Sequence, residues 1–370
     1  MTRVRAWLAV GLIGLAWACA PGPDEKAFPN GPLERVSLSR GGCLGSCSVY
    51  AVEILGDGRA RYQGDRFVVI EGRRDVLVSP ELLSEVLAAA KTADLYRLED
   101  AYAGGPTDGA TYEVSVTVGG RTKTITDYNG QLAGMPPAVT ALERAIDRAA
   151  GTGRWVKGDE STLAILQAEG FDFGSPQAFA MLHQVLRRGP ENLALALIAG
   201  GALKDQTAKD RALWLAALYG RATLIAPLVK AGARVDAPGP DRSALFAAAS
   251  AGSDSRTADG AATVRALLAA GANPRAVDSQ GVTPLHEAAD APTVRALIAA
   301  GADPDARTRE DVSPLLYRSR EDAVLALLEA GADPTVRDGA GDDLARNAEV
   351  RRWSRVQAWL RAHPQPAKAS

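Results

Sequence analysis

One phrase returns through the second half of this 370-residue chain, and no other feature restricts its fold as much. A leucine-rich stretch ends in Gly-Ala at Gly201-Ala202, Gly232-Ala233, Gly271-Ala272, Gly301-Ala302 and Gly331-Ala332. The glycines are spaced 31, 39, 30 and 30 residues apart, and an earlier copy ends at Gly170, 31 residues before Gly201. A period of this length is one supersecondary unit that cannot bury its apolar face alone, so neighbouring units stack into a solenoid. Each glycine supplies a left-handed helix stop. The small alanine beside it lets adjacent units approach closely.

The first part of each unit carries a second motif. T-P-L-H-E-A-A at 283–289 resembles the ankyrin signature T-P-L-H-x-A-A at each specified position. S-A-L-F-A-A-A at 243–249 and S-P-L at 313–315 are weaker copies. Counting back 21 residues from Gly232 and Gly201 reaches R-A-L-W-L-A-A at 211–217 and A-M-L-H at 180–183, each with a glycine nine residues on, Gly220 and Gly189. Residues 158–364 are thus identified as an all-α, ankyrin-type solenoid: a half-repeat at 160–173, five full repeats, and a C-terminal cap from Asp342 through Trp353 to Leu360. The repeats ending at Gly301 and Gly331 run only 18 residues from Thr283 and Ser313, so Pro292 is expected to restart a helix at its first position. The repeat ending at Gly271 carries seven extra residues, S-D-S-R-T-A-D at 253–259, which read either as a contact loop on one face or as a plain polar insertion.

The resemblance implies a concave surface, lined by hairpin tips and by the exposed side of the inner helices, that grips a protein partner. It maps to Pro240, Asp241 and Arg242, to Ser279 and Gln280, to Arg309, Glu310 and Asp311, and on the inner helices to Leu215, Glu287, Tyr317 and Arg318. Leu215 and Tyr317 would be apolar or aromatic groups on an open face, and aromatics are enriched at interface hot spots. Taken singly, these positions also fit solvated turns and edges. The imidazoles of His183 and His286 resemble structural groups that tie one repeat to the next, and Trp214 fills the same slot as His286 and is expected in the core.

The N-terminus reads as an export signal at 1–18. Arg3 and Arg5 precede an uncharged, mostly apolar run over 6–18, which is shorter than the roughly 20 residues a spanning helix needs. Cys19 follows it, and L-A-W-A-C at 15–19 resembles the lipobox of bacterial lipoproteins, although Ala16 and Trp17 depart from the usual leucine and small residue. That resemblance makes Cys19 a lipidation site, the chain a membrane-anchored lipoprotein, and 19–33, rich in Pro, Gly and charge, a flexible tether. Plain cleavage after A-C-A and an uncleaved anchor are the alternatives. A tail at 365–370 is expected to be disordered. Cys43 and Cys47 remain as a pair in G-G-C-L-G-S-C, where an exported location permits a disulfide. Free thiols and a metal or redox site stay open, but no histidine precedes His183 to complete a metal set.

Residues 34–155 read as an α+β domain of antiparallel strands and two helices. Strand patterns lie at 36–39, 48–55, 59–62, 67–70, 75–78, 111–118 and 122–126, with Gly56-Asp57-Gly58 as a hairpin turn. Ser79-Pro80 starts a helix over 80–91, and a second helix spans 137–149. The cysteine motif, T-D-G at 107–109 and D-Y-N-G at 127–130 resemble an uncharacterised domain of unknown function of bacterial exported proteins, with Ser48 standing where a proline is expected. That resemblance implies no activity. Asp108, Glu113, Asp127 and Tyr128 sit near strand ends, where such groups ordinarily satisfy turn backbone.

A formal net charge of -2 gives no field for nucleic acid. No cofactor motif, nucleophile elbow or phosphate loop is present in the N-terminal domain. The sequence therefore points to a membrane-tethered, extracytoplasmic scaffold that binds a protein rather than to an enzyme. Two alternatives remain: a thiol or enzymatic module at 34–155 targeted by the repeats, and an immunity or inhibitor protein for a co-produced enzyme.

Overall fold

The computed structural model of the chain describes residues 26–105, 108–239, 242–251, 260–317, 320–339 and 341–364. They form two compact units. The first comprises 26–44, 51–61 and 75–150. The second comprises 45–50, 62–74 and everything from 151 on.

The N-terminal region is α+β. Strands β1 (Leu33–Arg40), β2 (Val49–Leu55), β3 (Arg59–Arg66), β4 (Gly72–Leu77), β5 (Ala101–Ala103), β6 (Thr111–Val118) and β7 (Arg121–Tyr128) order as β4-β3-β2-β1-β6-β7-β5. Two helices accompany them, α1 (Pro80–Thr92) and α2 (Pro137–Ala150). Ser79 caps α1 by accepting from the Leu82 N–H, with Pro80 in its first turn. Strand alternation buries one face: Leu38 lies opposite Val114, and Val114 opposite Ile125, all fully buried. Val86 of α1 and Val139, Leu142 and Ile146 of α2 are equally buried.

Two details differ from the sequence reading. The sheet is mixed, because β5, which strand patterns miss at only three residues, pairs parallel with β7. Residues 67–70 are not a strand. Phe67 takes a left-handed φ of 56°, which ends β3, and Val68, Val69 and Ile70 are buried. The Val69 and Ile70 N–H groups donate to the Val156 and Trp155 carbonyls at 3.1 and 2.8 Å, and the Tyr62 ring lies 6.5 Å from that of Trp155. The apolar run at 67–70 is thus a docking segment inside the second unit.

The rest of the second unit is helical. After α3 (Gly153–Val156) and α4 (Glu160–Ala168) come paired helices α5 (Pro176–Arg188) with α6 (Glu191–Ala199), and α7 (Gln206–Leu218) with α8 (Ala222–Lys230). Then follow α9 (Ala244–Ser250), α10 (Gly260–Ala269), α11 (Ala291–Ala299), α12 (Glu321–Glu329), α13 (Leu344–Val350) and α14 (Ser354–Ala362). The repeated glycines act alike. Gly170, Gly201, Gly232, Gly271, Gly301 and Gly331 have φ between 69° and 96°. In every copy the next N–H bonds back to the carbonyl of the repeat leucine, from Phe171 to Leu166 and from Ala332 to Leu327, which is the helix-closing bond a left-handed residue permits. Those leucines, from Leu166 to Leu327, are fully buried, worth about 1.5–3 kcal/mol each.

The two shortened repeats lose their inner helix. Thr283–Ala289 and Ser313–Tyr317 form single turns, closed by His286 N–H to Thr283 O and Leu316 N–H to Ser313 O. In the first of them Asp290 already caps α11 by accepting from the Thr293 N–H, only four residues past His286. Pro292 accordingly sits in the first turn of α11.

Candidate functional site

Three equivalent hairpin turns project from the repeats. Asp278, Thr308 and Asp338 each donate a backbone N–H to the residue four positions on, Val282, Val312 and Asp342, at 3.0 Å. Successive tips are stitched together, since the Arg309 N–H donates to the Gln280 carbonyl at 2.8 Å. Asp236 accepts from the Asn273 N–H and Asp305 from the Asp333 N–H, the same bond two repeats apart in the array.

Arg242 stands where this row meets the inner face. Its Nε lies 2.9 Å from Asp278 Oδ2 and its Nη1 2.5 Å from Glu287 Oε1, and its guanidinium lies 5.5 Å from the Phe246 ring centroid. It also hydrogen-bonds Tyr317. Burial opposes its charge, but the hydrogen bond and charge of Glu287, with Asp278 and Tyr317, outweigh that and raise its pKa above the ordinary arginine value. Tyr317 packs edge-on against His286 with centroids 5.4 Å apart. Arg242, Glu287 and Tyr317, drawn from three repeats, therefore form one connected, half-buried patch. Asp278 and Phe246 belong to it as well. Sequence reading missed both, although Asp278 immediately precedes Ser279 at the hairpin tip.

The other predicted positions fall in three groups. Ser279, Gln280, Arg309, Glu310 and Asp311 are exposed at the tips. Pro240, Asp241 and Arg318 lie outside the described residues, as do Cys19 and the insertion at 253–259. Leu215 requires a correction: it is only 8% exposed, because α7 is a full helix flanked by α5 and α9, and it does not offer an apolar contact on an open face.

The two histidines part company. His286 is 1% exposed. Its Nδ1 receives the Thr283 N–H at 3.1 Å, so its proton sits on Nε2, which donates to the Val312 carbonyl of the following repeat at 3.1 Å. Burial lowers its pKa and keeps the ring neutral, despite the opposing Val312 hydrogen bond and the charges of Glu287 and Asp278. His183 lacks such a tie. Its Nε2 is buried with no hydrogen-bond partner among the described residues, its ring sits edge-on to Phe179 at 4.7 Å, and burial, then Arg211, lowers its pKa. Trp214 is half-buried against Gly239, where a Cβ would fall 2.2 Å from the indole Cδ1.

The N-terminal domain holds a separate buried constellation. Glu143 on α2 is 2% exposed, and its Oε1 has no hydrogen-bond partner among the described residues. Burial pushes its pKa up to about 7; Arg40 opposes this, while Asp127 and Asp147 add to it. Arg40 pairs with Asp147 at 2.7 Å and stacks 4.3 Å from the Tyr112 ring centroid. Asp127 accepts from the Gly130 N–H at 2.6 Å, a turn-stabilising role. Sequence reading missed Glu143 because a glutamate in an amphipathic helix ordinarily faces water. Cys43 and Cys47 are placed to form a disulfide. Among the described residues no group of three or more His, Cys, Asp or Glu could hold a metal ion, and no helix is long and apolar enough to cross a membrane.

Comparison with known families settles the solenoid. Residues 213–308 and 255–338 match ankyrin repeats (3 copies). The chain carries ankyrin repeats. The ankyrin match takes in the Arg242–Glu287–Tyr317 patch and the first two hairpins, and ends on Asp338, the first residue of the third. Residues 34–150 match a domain of unknown function (DUF6438). No curated protein matches the chain. Ankyrin repeats suggest protein–protein interaction and are typically non-catalytic, whereas the N-terminal domain brings no assigned activity.

Proposed function

We propose that this protein is a membrane-tethered, extracytoplasmic scaffold whose ankyrin array holds a protein partner along the Arg242–Glu287–Tyr317 patch and the hairpin tips beside it. The observation that carries the reading is the gathering of an arginine, a tyrosine and two carboxylates from successive repeats into one half-buried patch, beside the exposed tips of Ser279, Gln280, Arg309 and Glu310. Arginine and tyrosine in a partly desolvated setting are the residue types that dominate protein interfaces. The tether rests on the lipobox-like L-A-W-A-C at 15–19, with Cys19 as the acylated residue. Export in turn favours a Cys43–Cys47 disulfide.

Two experiments test the two halves. Cys19→Ala should release the protein from the membrane fraction and abolish incorporation of a fatty-acid label; unchanged fractionation removes the anchor from the account. Affinity capture from native cells should recover a partner with the wild-type chain and lose it with Tyr317→Ala and Arg242→Ala. Equal recovery with both variants would contradict the assignment of the binding face.

A further inference from the structure

The chain is close to electroneutral, with 42 Lys and Arg against 44 Asp and Glu, and arginines in its described parts commonly find carboxylates. Arg40, Arg74, Arg234 and Arg242 pair with Asp147, Glu169, Asp210 and Asp278. One place breaks this habit. A small cleft in the second unit is lined by Lys157, Arg187 and Arg188, together with Ser46, Ser48 and Gln184, and no carboxylate is among its lining residues. None of the three cations makes an ion pair among the described residues. Lys157 and Arg188 are exposed, while Arg187 is half-buried.

The cleft is arranged as a set of donors. Arg187 Nη2 donates to Ser46 Oγ at 2.5 Å, and its guanidinium lies 5.7 Å from the Tyr219 ring centroid, so its position is fixed from both sides. Ser46 Oγ spends a lone pair on Arg187 and keeps its own proton to donate. Ser48 Oγ donates to the Phe67 carbonyl at 2.9 Å, which anchors the opposite wall. The segment 67–70 is itself held by the Trp155 and Val156 carbonyls, so the walls belong to well-tied backbone. Three positive charges converging without a counter-charge raise the local potential and favour an anion. A planar guanidinium fork beside an ammonium and a hydroxyl fits the oxygens of a phosphate group. The cleft is small and open to solvent, so it suits a phosphate group with the remainder of its bearer outside.

We infer that this cleft binds a phosphate group through Lys157, Arg187, Arg188 and Ser46. The same chemistry is offered by free inorganic phosphate and by an anionic lipid headgroup, and the two are separable. Titration of the full chain with inorganic phosphate, against sodium chloride at matched ionic strength, should show saturable binding by calorimetry. Lys157→Gln/Arg188→Gln removes two exposed cations that make no ion pair or side-chain hydrogen bond among the described residues, and should weaken binding at least tenfold with an unchanged melting temperature. In parallel, vesicles of phosphatidylglycerol and of phosphatidylcholine are mixed with the Cys19→Ala chain. Co-sedimentation with phosphatidylglycerol vesicles alone, lost in the double variant, identifies a lipid headgroup as the source; binding of inorganic phosphate without vesicle binding identifies a free phosphate. Binding that sodium chloride abolishes equally, binding indifferent to the double variant, or no binding to either probe overturns the inference.

Discussion

Arg242 bonds Glu287 across a repeat boundary, from just ahead of α9 to the single turn that replaces an inner helix one repeat later. The arginine also answers Asp278, so two carboxylates share one cation. Removing the cation should therefore cost more than removing either acid. Arg242→Met leaves Asp278 and Glu287 facing each other half-buried, and should destabilise the array by about 1–3 kcal/mol, whereas Glu287→Gln should cost under about 1 kcal/mol. Urea unfolding of both single variants and the double variant measures the coupling. A coupling energy of zero would show that the pair is idle, and equal costs for the two single changes would contradict the larger role of the cation.

The histidines should behave oppositely on replacement. His286 makes bonds on both ring nitrogens, so His286→Ala should cost about 1–3 kcal/mol and open the contact to Val312. His183→Leu removes a buried nitrogen that bonds nothing described, and should be neutral or stabilising. Both imidazoles have folded pKa values below the ordinary 6.5. The folded state resists protonation, so their contribution is complete above pH 6.5 and is lost as pH falls below it. Thermal melts of the two variants from pH 5 to 8 check both statements; a wild-type array equally stable at pH 5 and 7.5 would contradict the second.

Glu143 gives the N-terminal domain the reverse dependence. Its folded pKa of about 7 lies above the ordinary 4.5. The stability held with Glu143 protonated is complete below pH 4.5 and is lost as pH rises through 7, by on the order of 3 kcal/mol. Glu143→Gln keeps the volume and removes the charge. It should raise the melting temperature of this domain at pH 8 and leave it nearly unchanged at pH 5. A variant no more stable than wild type at pH 8 would refute the buried-acid account.

Asp311 occupies the hairpin position that Gly281 and Gly341 fill in the neighbouring repeats, with φ of 58° against 76° and 84°. Its ion pair with Arg307 is long, 3.7 Å, and its side chain is 81% exposed, so the pair contributes little. Asp311→Gly should relieve backbone strain and stabilise the array by about 0.5 kcal/mol, read as a small rise in denaturation midpoint. A fall of similar size would mean that the aspartate side chain holds the turn.

How far the sequence could be read depended on whether a signal was local. The period of the glycines and the ankyrin signature at 283–289 located the helix ends, because a left-handed stop is a one-residue property. The Ser79-Pro80 start and the Asp57-Gly58 turn were legible for the same reason. The collapse of two inner helices was half visible: the three missing residues could be counted, but not that Asp290 would cap α11 so early. Residues 67–70 misled, because a short apolar run looks the same whether it pairs in a sheet or docks on Trp155 and Val156. Leu215 misled for a related reason. Its motif slot matches that of Glu287, yet a full α7 between α5 and α9 buries it. The Arg242 patch was legible in its members and not in its connectivity, since Asp278, Glu287 and Tyr317 meet Arg242 only across repeat boundaries.

The central claim is that the hairpin tips and the Arg242 patch form the face that holds a protein partner. The most direct test places a photo-crosslinking residue at Ser279 or Arg309 on the tips, and at Arg295, 60% exposed on α11, as the control. After irradiation in native cells, adducts are resolved by mass spectrometry, with and without Glu287→Lys. The account predicts one recurrent adduct from positions 279 and 309, absent from position 295 and lost with Glu287→Lys. Adducts that form equally from position 295, or that persist unchanged with Glu287→Lys, would contradict it.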